Sequence, residues 1–249
     1  MNTLHKLLNN QIVIGTLSIL LFWYSLFFLV NTHSIPSPFE TIAHLFTIKI
    51  PILLHSLASL MRVLVALGIS LIIGVPIGLF LGVNKTFNRV FSPFLYYLYP
   101  LPKVAFLPVF MLLFGLGNIS KVMLIIWIII FQIILSVRDG VTQIPSSYFK
   151  VMDSFAASTR HYYQYLVVPA VLPQLISGIR ISIGISLASL FFAENYATTY
   201  GIGYFIISGW TKMNYIEMFG GILVLGLIGL LIFKCLDWLE ARLIPWAQK

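Results

Sequence analysis

The chain has 249 residues, of which 59% are hydrophobic and only 9% charged, with a mean hydropathy of +0.99. Soluble domains carry about 25% charged residues, and seven acidic plus fifteen basic side chains cannot coat a body of 28.1 kDa, so the chain is read as an integral membrane protein. The net charge of +8 is scattered over the connections between apolar runs instead of gathered in one, which argues for orientation in a bilayer and against a nucleic-acid partner.

In chain order, Met1–Gln11 is short and polar, with His5 and Lys6. Residues 12–30 form an apolar run long enough to span. It continues into NTHSIP without the small-residue exit of a signal peptide, so a retained first helix is expected. Residues 31–60 mix Pro36, Pro38, Glu40, His44, Lys49, Pro51 and His55 with apolar residues and read as an interfacial amphipathic segment. A second span over 61–83 carries Gly74, Gly78 and Gly82 on one helix face, where small residues admit a close neighbour; Pro76 is tolerable there because neighbours can satisfy the freed carbonyl.

Residues 93–116 are interrupted by Pro100, Pro102, Lys103 and Pro108, which predicts a bent approach and a third span over 104–116. Gly115–Asn118 is a tight turn, Ser120 can cap the next helix, and 120–137 is a nearly all-aliphatic fourth span. A fifth span over 175–193 has Gly178, Ser182, Ser186, Ser189 and Ala193 along one face, a stripe that packs against another helix or lines a cavity. Arg180 is expected to snorkel to the headgroups. Glu194, at the other end of this span, is either an ordinary interfacial carboxylate or a group at the outer end of a solute path. The stretch 194–217 reads as a polar connection, and 219–236 is the sixth span. Six spans place both ends on one side. The inner segments then hold Lys6, Lys85, Arg89, Arg138, Lys150, Arg160, Arg242 and Lys249, and the outer ones chiefly Lys49, Lys121 and Lys212, which gives an N-in, C-in topology. No stretch between spans is long enough for a soluble domain, so 1–249 is expected to be one all-α transmembrane domain in the cell membrane.

Signals for chemistry are sparse. There is no phosphate-binding G-x-x-x-x-G-K-[ST] loop, no nucleophile elbow and no histidine pair at metal-ligand spacing. The single cysteine, Cys235, lies in an apolar run and offers neither a disulfide nor a thiolate metal site. No catalytic residue, metal site or cofactor of its own is therefore assigned. Few ionisable residues fall within spans, which counts against an ion-coupled transporter. An intramembrane enzyme and a non-transporting scaffold remain the alternatives.

The polar interruption Lys150–Pro173, KVMDSFAASTRHYYQYLVVPAVLP, reads as two short helical pieces with a break near Ala156–Ser158, an aromatic run, and then Pro169 and Pro173. It resembles the loop of the permease subunits of binding-protein-dependent ABC importers, which has an E-A-A start, a central glycine and an I-x-L-P end. Here Lys150, Val151 and Met152 stand at the E-A-A positions and Ala156 at the glycine. PLPKVAFLPVFMLLFGLGNISK (100–121), SGIRISIGISLASLFFAEN (177–195) and GIGYFI (201–206) are similar to the nitrate, sulfonate and taurine branch of that family.

The resemblance implies a type I importer-like fold and a permease coupled to a cytoplasmic ATPase dimer through the loop 145–174. The loop's contact residues would be Lys150, Asp153, Ser154, Phe155, Ala156, Ala157, Ser158, Thr159, Arg160, Tyr162 and Tyr163. Asp153 or Ser154 could cap a first short helix and Ser158 a second. Tyr162, Tyr163 and Tyr165 would supply anchoring area, and Pro169 and Pro173 would hold Val168 and Leu172 out of helical geometry. Ala156 either keeps ordinary dihedrals or bears a left-handed strain that glycine would avoid. ATP and magnesium would belong to the partner. The other partners implied are a second permease copy, with a homodimer favoured over a heterodimer, an extracytoplasmic solute-binding protein, and lipid. Gly115–Asn118 and segments 31–60 and 195–217 are the expected docking surface for the binding protein. Ser182, Ser186, Ser189 and Glu194 are the candidate path residues, and sulfonates, nitrate, taurine or a vitamin precursor are all possible solutes.

Overall fold

The computed structural model describes residues 11–30, 32, 34–98 and 100–247; His5, Lys6 and Lys249 lie outside them. All regular structure among the described residues is helical. We number the helices α1 (Gln11–Val30), α2 (Pro38–Thr47), α3 (Lys49–Val83), α4 (Lys85–Leu98), α5 (Leu107–Phe114, entered through a 3-10 turn at Lys103–Phe106), α6 (Asn118–Thr142), α7 (Ser146–Ser154), α8 (Thr159–Glu194), α9 (Ile202–Thr211) and α10 (Tyr215–Leu243).

Every apolar run of the sequence is a helix, but the ends differ. The second span begins at Lys49, not at 61, because Pro51 falls in the first turn, where its missing N–H costs nothing. The polar residues His55 and Ser59 on this extension face protein partners, so the interfacial segment expected over 31–60 is only α2, capped by Ser37 Oγ accepting from Glu40 N at 3.2 Å. The third span is not one helix over 104–116: α4 and the 103–114 segment are bent by 85°. The connection expected over 194–217 contains the helix α9.

The direction of packing follows from the small residues. A Cβ on Gly74 would meet Ile133, one on Gly78 would lie 2.7 Å from Val137 Cβ, and one on Gly82 would lie 2.5 Å from Val141 Cβ. The partner numbers rise together, so α3 and α6 run parallel, and the chain between them must recross the membrane. The bent pair therefore counts as a span. Together with the five long apolar helices it makes six. Against α8 the order reverses: Gly178 lies on Ser136, while Gly140 lies on Val171 and Gln174, so α6 and α8 are antiparallel. α6 is the centre of the bundle, with Leu124, Ile125, Ile129, Ile133 and Val137 fully buried. That position explains why its sequence is aliphatic on all faces.

Arg180 does not simply snorkel. It donates to Asp237 Oδ1 and Glu240 Oε2 of α10, each at 2.8 Å, and so ties α8 to α10. α1 is peripheral; its recorded attachment is Trp23, whose ring stacks on Phe219 at 5.4 Å and whose Nε1 donates to Pro36 O at 3.1 Å.

Candidate functional site

Two groups of residues stand out, one on each side of the membrane. On the inner side, α7 projects between α6 and α8. It starts after Pro145 and ends in a left-handed turn: Ala157 N donates to Met152 O at 3.2 Å, Ala156 N donates to Asp153 O at 2.9 Å, and Ala156 itself has φ +49°. This is the Schellman arrangement, in which the left-handed residue is ordinarily glycine. Of the two expectations for Ala156, the strained one is what the structure contains.

Asp153 and Ser154 do not cap a helix start, since both lie in the last turn of α7. Asp153 accepts from the Tyr162 hydroxyl, and Ser154 Oγ donates back to Val151 O at 2.7 Å. Ser158 occupies the position before Thr159, but its hydroxyl lies 3.2 Å from His161 Nδ1 and caps no backbone N–H.

Pro169 and Pro173 do not break the chain out of helix. Val168 and Leu172 are helical, and the chain runs without interruption from Thr159 to Glu194. The strain is taken up in a π-helical stretch over Tyr162–Val167, where Val168 N bonds to Tyr163 O. Widening the turn moves the carbonyls upstream away from the Pro169 ring, which would clash with the carbonyl four residues before it in a regular α-helix.

Tyr162 and Tyr163 are turned inward. Tyr162 stacks on Phe149 at 6.2 Å, and both Phe149 and Tyr163 pack on Val137, Val141, Val167 and Val171. α7 is thus fixed to the inner ends of α6 and α8 by one of its faces. The other face carries Tyr148, Val151 and Phe155 at helical spacing, all exposed, Phe155 by 79%. Lys150, Thr159 and Arg160 are also exposed. The sequence reading named Phe155 but missed Tyr148, although a three-and-four spacing of large apolar residues was the available signal.

On the outer side, the matched stretches 177–195 and 201–206 meet. Glu194, fully buried at the end of α8, forms an ion pair with Arg62 of α3. It also accepts from Ser59 Oγ at 2.8 Å and from Gly203 N at 2.8 Å. Ile202 N donates to Ser59 Oγ at 2.8 Å, and Gly201 N donates to His55 Nδ1 at 3.0 Å. The carboxylate therefore sits at the N-terminus of α9, where the exposed amides and the helix dipole favour negative charge.

Arg62 continues the network. Its Nη2 donates to Asn118 Oδ1 and to Tyr200 O, each at 2.7 Å. Lys121, 1% exposed, donates to the carbonyls of Leu116, Gly117 and Ala197 at 3.1 to 3.2 Å. Glycine is required at 201 and 203 by this close approach: a Cβ at 203 would lie 2.8 Å from Phe191 O and 2.9 Å from Glu194 Cβ. The sequence reading missed Arg62. The signal was an arginine inside an apolar run, which needs a partner, and Glu194 was the acidic residue closest to a span on the outer side.

Ser182, Ser186 and Ser189 are buried within the chain's own helix packing; Ser186 Oγ donates to Ser182 O at 2.7 Å. They belong to the same stripe as Gly178, which lies on Ser136 of α6.

Comparison with known proteins agrees with this geometry. Residues 74–249 match the family described as binding-protein-dependent transport system inner membrane component. The taurine transport system permease protein of Escherichia coli (strain K12) is 30% identical over 94% of this chain and 88% of its own length. The nitrate import permease protein of Synechocystis is 28% identical over 77% and 70%, and the bicarbonate transport system permease protein of Synechococcus elongatus 29% identical over 75% and 67%. A chain of the MetNI methionine ABC transporter, solved in inward-facing conformations, shares the fold with a TM-score of 0.65 at 16% identity, covering 79% of this chain and 98% of that one. The chain belongs to the family of inner-membrane permease components of binding-protein-dependent ABC importers.

Proposed function

We propose that two copies of this chain enclose a path for a small anionic or zwitterionic solute, which an extracytoplasmic binding protein delivers and a pair of cytoplasmic ATPase subunits drives inward. The observation that carries the coupling part is α7. One face is bolted to α6 and α8 through Phe149 and Tyr162, while the other presents Tyr148, Val151 and Phe155 outside the membrane with no partner from the described residues. A helix held rigidly on one side and apolar on the other transmits a push from whatever binds it. The left-handed turn at Ala156 and the Asp153–Tyr162 contact keep α7 at a fixed angle to α8. Closure of the ATPase pair would then move α8 and α6 together as one lever.

The solute class follows the relatives named for taurine, nitrate, bicarbonate and aliphatic sulfonates, all of which carry a compact oxyanion. The outer clamp of Arg62, Glu194 and Lys121 holds the loop 195–201 and α9 in place, and we assign the surface of this region, with the turn at 115–118, to docking of the binding protein. ATP and magnesium are bound by the partner ATPase, and a homodimer is favoured because one chain supplies every element of the lever. The test is to purify the chain with its associated ATPase and binding protein, place the complex in vesicles, and screen taurine, nitrate, bicarbonate and alkyl sulfonates for stimulated ATP hydrolysis. Stimulation by at least one is expected. An ATPase that fails to copurify, or a hydrolysis rate indifferent to every solute, would overturn the reading.

A further inference from the structure

His55, Ser59 and Arg62 share one face of α3, and together they hold the start of α9 residue by residue. Arg62 donates to the carbonyl of Tyr200, His55 Nδ1 accepts from the amide of Gly201 at 3.0 Å, and Ser59 Oγ accepts from the amide of Ile202 at 2.8 Å. Glu194 of α8 takes the next amide, that of Gly203. Gly201, Ile202 and Gly203 have no polar side chain with which to cap the helix, so its free amides are satisfied from the two neighbouring helices. The fit is close: a Cβ on Gly201 would lie 2.5 Å from Glu194 Oε2.

Arginine stays charged and serine neutral at physiological pH, whereas histidine changes charge between about pH 5 and 8. An amide can donate to Nδ1 only while that nitrogen is unprotonated, so the ring carries its hydrogen on Nε2. Protonation sets one N–H against another. It also adds a positive charge at the N-terminus of α9, the end where the helix dipole disfavours it. The rings of Tyr200, Tyr204 and Phe205, with centroids 5.4 to 5.9 Å away, keep the imidazole in place. Their faces attract a cation but supply no acceptor for the Gly201 amide.

The other charged groups around the start of α9 do not favour a second cation. Arg62 of α3 and Lys121 of α6 outnumber Glu194 of α8, and Lys49 opens α3 itself. α10 and α2, which also touch α3, carry Tyr215, Glu217, Glu40 and His44. His44 lies 3.7 Å from Glu217, so acid draws that pair together, the opposite sense to its effect at Gly201. The bond from Gly201 to His55 is thus present at neutral pH and lost as the pH falls.

We propose that His55 is a proton-sensitive latch. Unprotonated, it holds the start of α9 to α3; in acid it lets go, residues 195–203 loosen, and capture of the binding protein weakens as the pH outside the membrane falls. The effect on capture rests on the assignment of this surface to docking. The latch rests on the hydrogen bonds alone.

The test uses the complex of this chain with its ATPase in lipid nanodiscs. It reads deuterium exchange of amides 196–206 at about pH 7.5 and about pH 5.5, either side of the ordinary histidine midpoint, corrected for the intrinsic pH dependence of exchange. In wild type these amides should exchange about fivefold to tenfold faster in acid, the loss of one hydrogen bond. His55→Asn sets a carbonyl oxygen where Nδ1 stands and cannot be protonated in this range, so it should stay protected at both values. His55→Leu, which has no acceptor, should exchange fast at both, and His44→Gln should respond as wild type does. Equal wild-type exchange at both values would overturn the latch. So would a response that survives in His55→Asn, which would assign it to Glu194, or one that disappears in His44→Gln. Binding-protein affinity is then compared between wild type and His55→Asn at each pH, so that the binding protein's own titration cancels. The two should match at neutral pH, and wild type should bind about fivefold or more weakly in acid. Equal affinities in acid with the exchange response intact would overturn the docking assignment and leave the latch standing. No capture at either pH would count against the importer reading, and the exchange result would still decide the latch.

Discussion

Arg62 of α3 and Glu194 of α8, 132 residues apart in sequence, form a buried ion pair at the outer end of the bundle. The carboxylate also accepts from Ser59 and from the amide of Gly203, so one side chain joins α3, α8 and α9.

Removing one charge of such a pair leaves the other buried and uncompensated, at a cost of about 3–5 kcal/mol. Glu194→Gln should therefore melt several degrees below wild type in detergent. Its surviving folded fraction is expected to keep the wild-type KM for uptake, because the carboxylate's oxygens are taken up by Ser59, Arg62 and the Gly203 amide of this chain. Replacing both partners, Arg62→Leu with Glu194→Leu, should melt above Glu194→Gln, since two apolar residues cost less than one stranded guanidinium. A Glu194→Gln variant with unchanged melting and altered KM would return the residue to the solute path.

Glycines in the parallel α3–α6 contact separate packing from propensity. A Cβ on Gly78 would lie 2.8 Å from Ile134 O, whereas one on Gly68 would meet nothing within 4 Å. Gly78→Ala should destabilise by about 1–3 kcal/mol by forcing the helices apart, and Gly68→Ala should be neutral or gain up to about 1 kcal/mol from helix propensity. Thermal melting of the two variants side by side checks this. Equal effects would mean that the helices do not approach at Gly78.

The glycine stripe was legible because a four-residue spacing of small residues has one meaning in lipid, and the packing partners Ile133, Val137 and Val141 bear it out. The start of α3 was not legible. His55 and Ser59 look interfacial until the groups that bind them, residues 194–202, are brought across by the fold. The same holds for Tyr162: an exposed aromatic run and an aromatic run folded back on Phe149 have identical sequence patterns. The prolines misled for a different reason. A single π-helical stretch relieves the Pro169 clash, and no local propensity announces it.

Ala156 holds φ +49° in a turn built for glycine. For an L-residue this costs about 1–2 kcal/mol, partly offset by the smaller entropy alanine loses on folding. Ala156→Gly should stabilise the loop by about 1 kcal/mol, read as slower proteolysis of the 154–160 segment. Lys150→Glu with Ala156→Gly should leave the fold intact and change solute-stimulated ATP hydrolysis, because Lys150 is exposed beside the face proposed to dock the ATPase. Wild-type coupling in that double variant would show that both departures from the family pattern are neutral.

The face of α7 is where binding and stability can be told apart. Phe155 is 79% exposed, with Tyr148 and Val151 beside it, so truncating it removes no packing inside the chain. Phe149 lies one position after Tyr148 but on the opposite face, stacked on Tyr162 and packed against the inner ends of α6 and α8. Phe155→Ala should leave the melting temperature unchanged and weaken ATPase binding by about tenfold or more, as expected when an aromatic anchor is lost from an interface. Phe149→Ala should lower the melting temperature, and at temperatures where the variant remains folded it should bind the ATPase but couple poorly, because the lever is then loose at its root. The measurement is ATPase affinity and solute-stimulated hydrolysis for each variant in the same vesicles. If Phe155→Ala binds the ATPase as wild type does, the exposed face of α7 is not the docking surface, and the push must enter the bundle elsewhere.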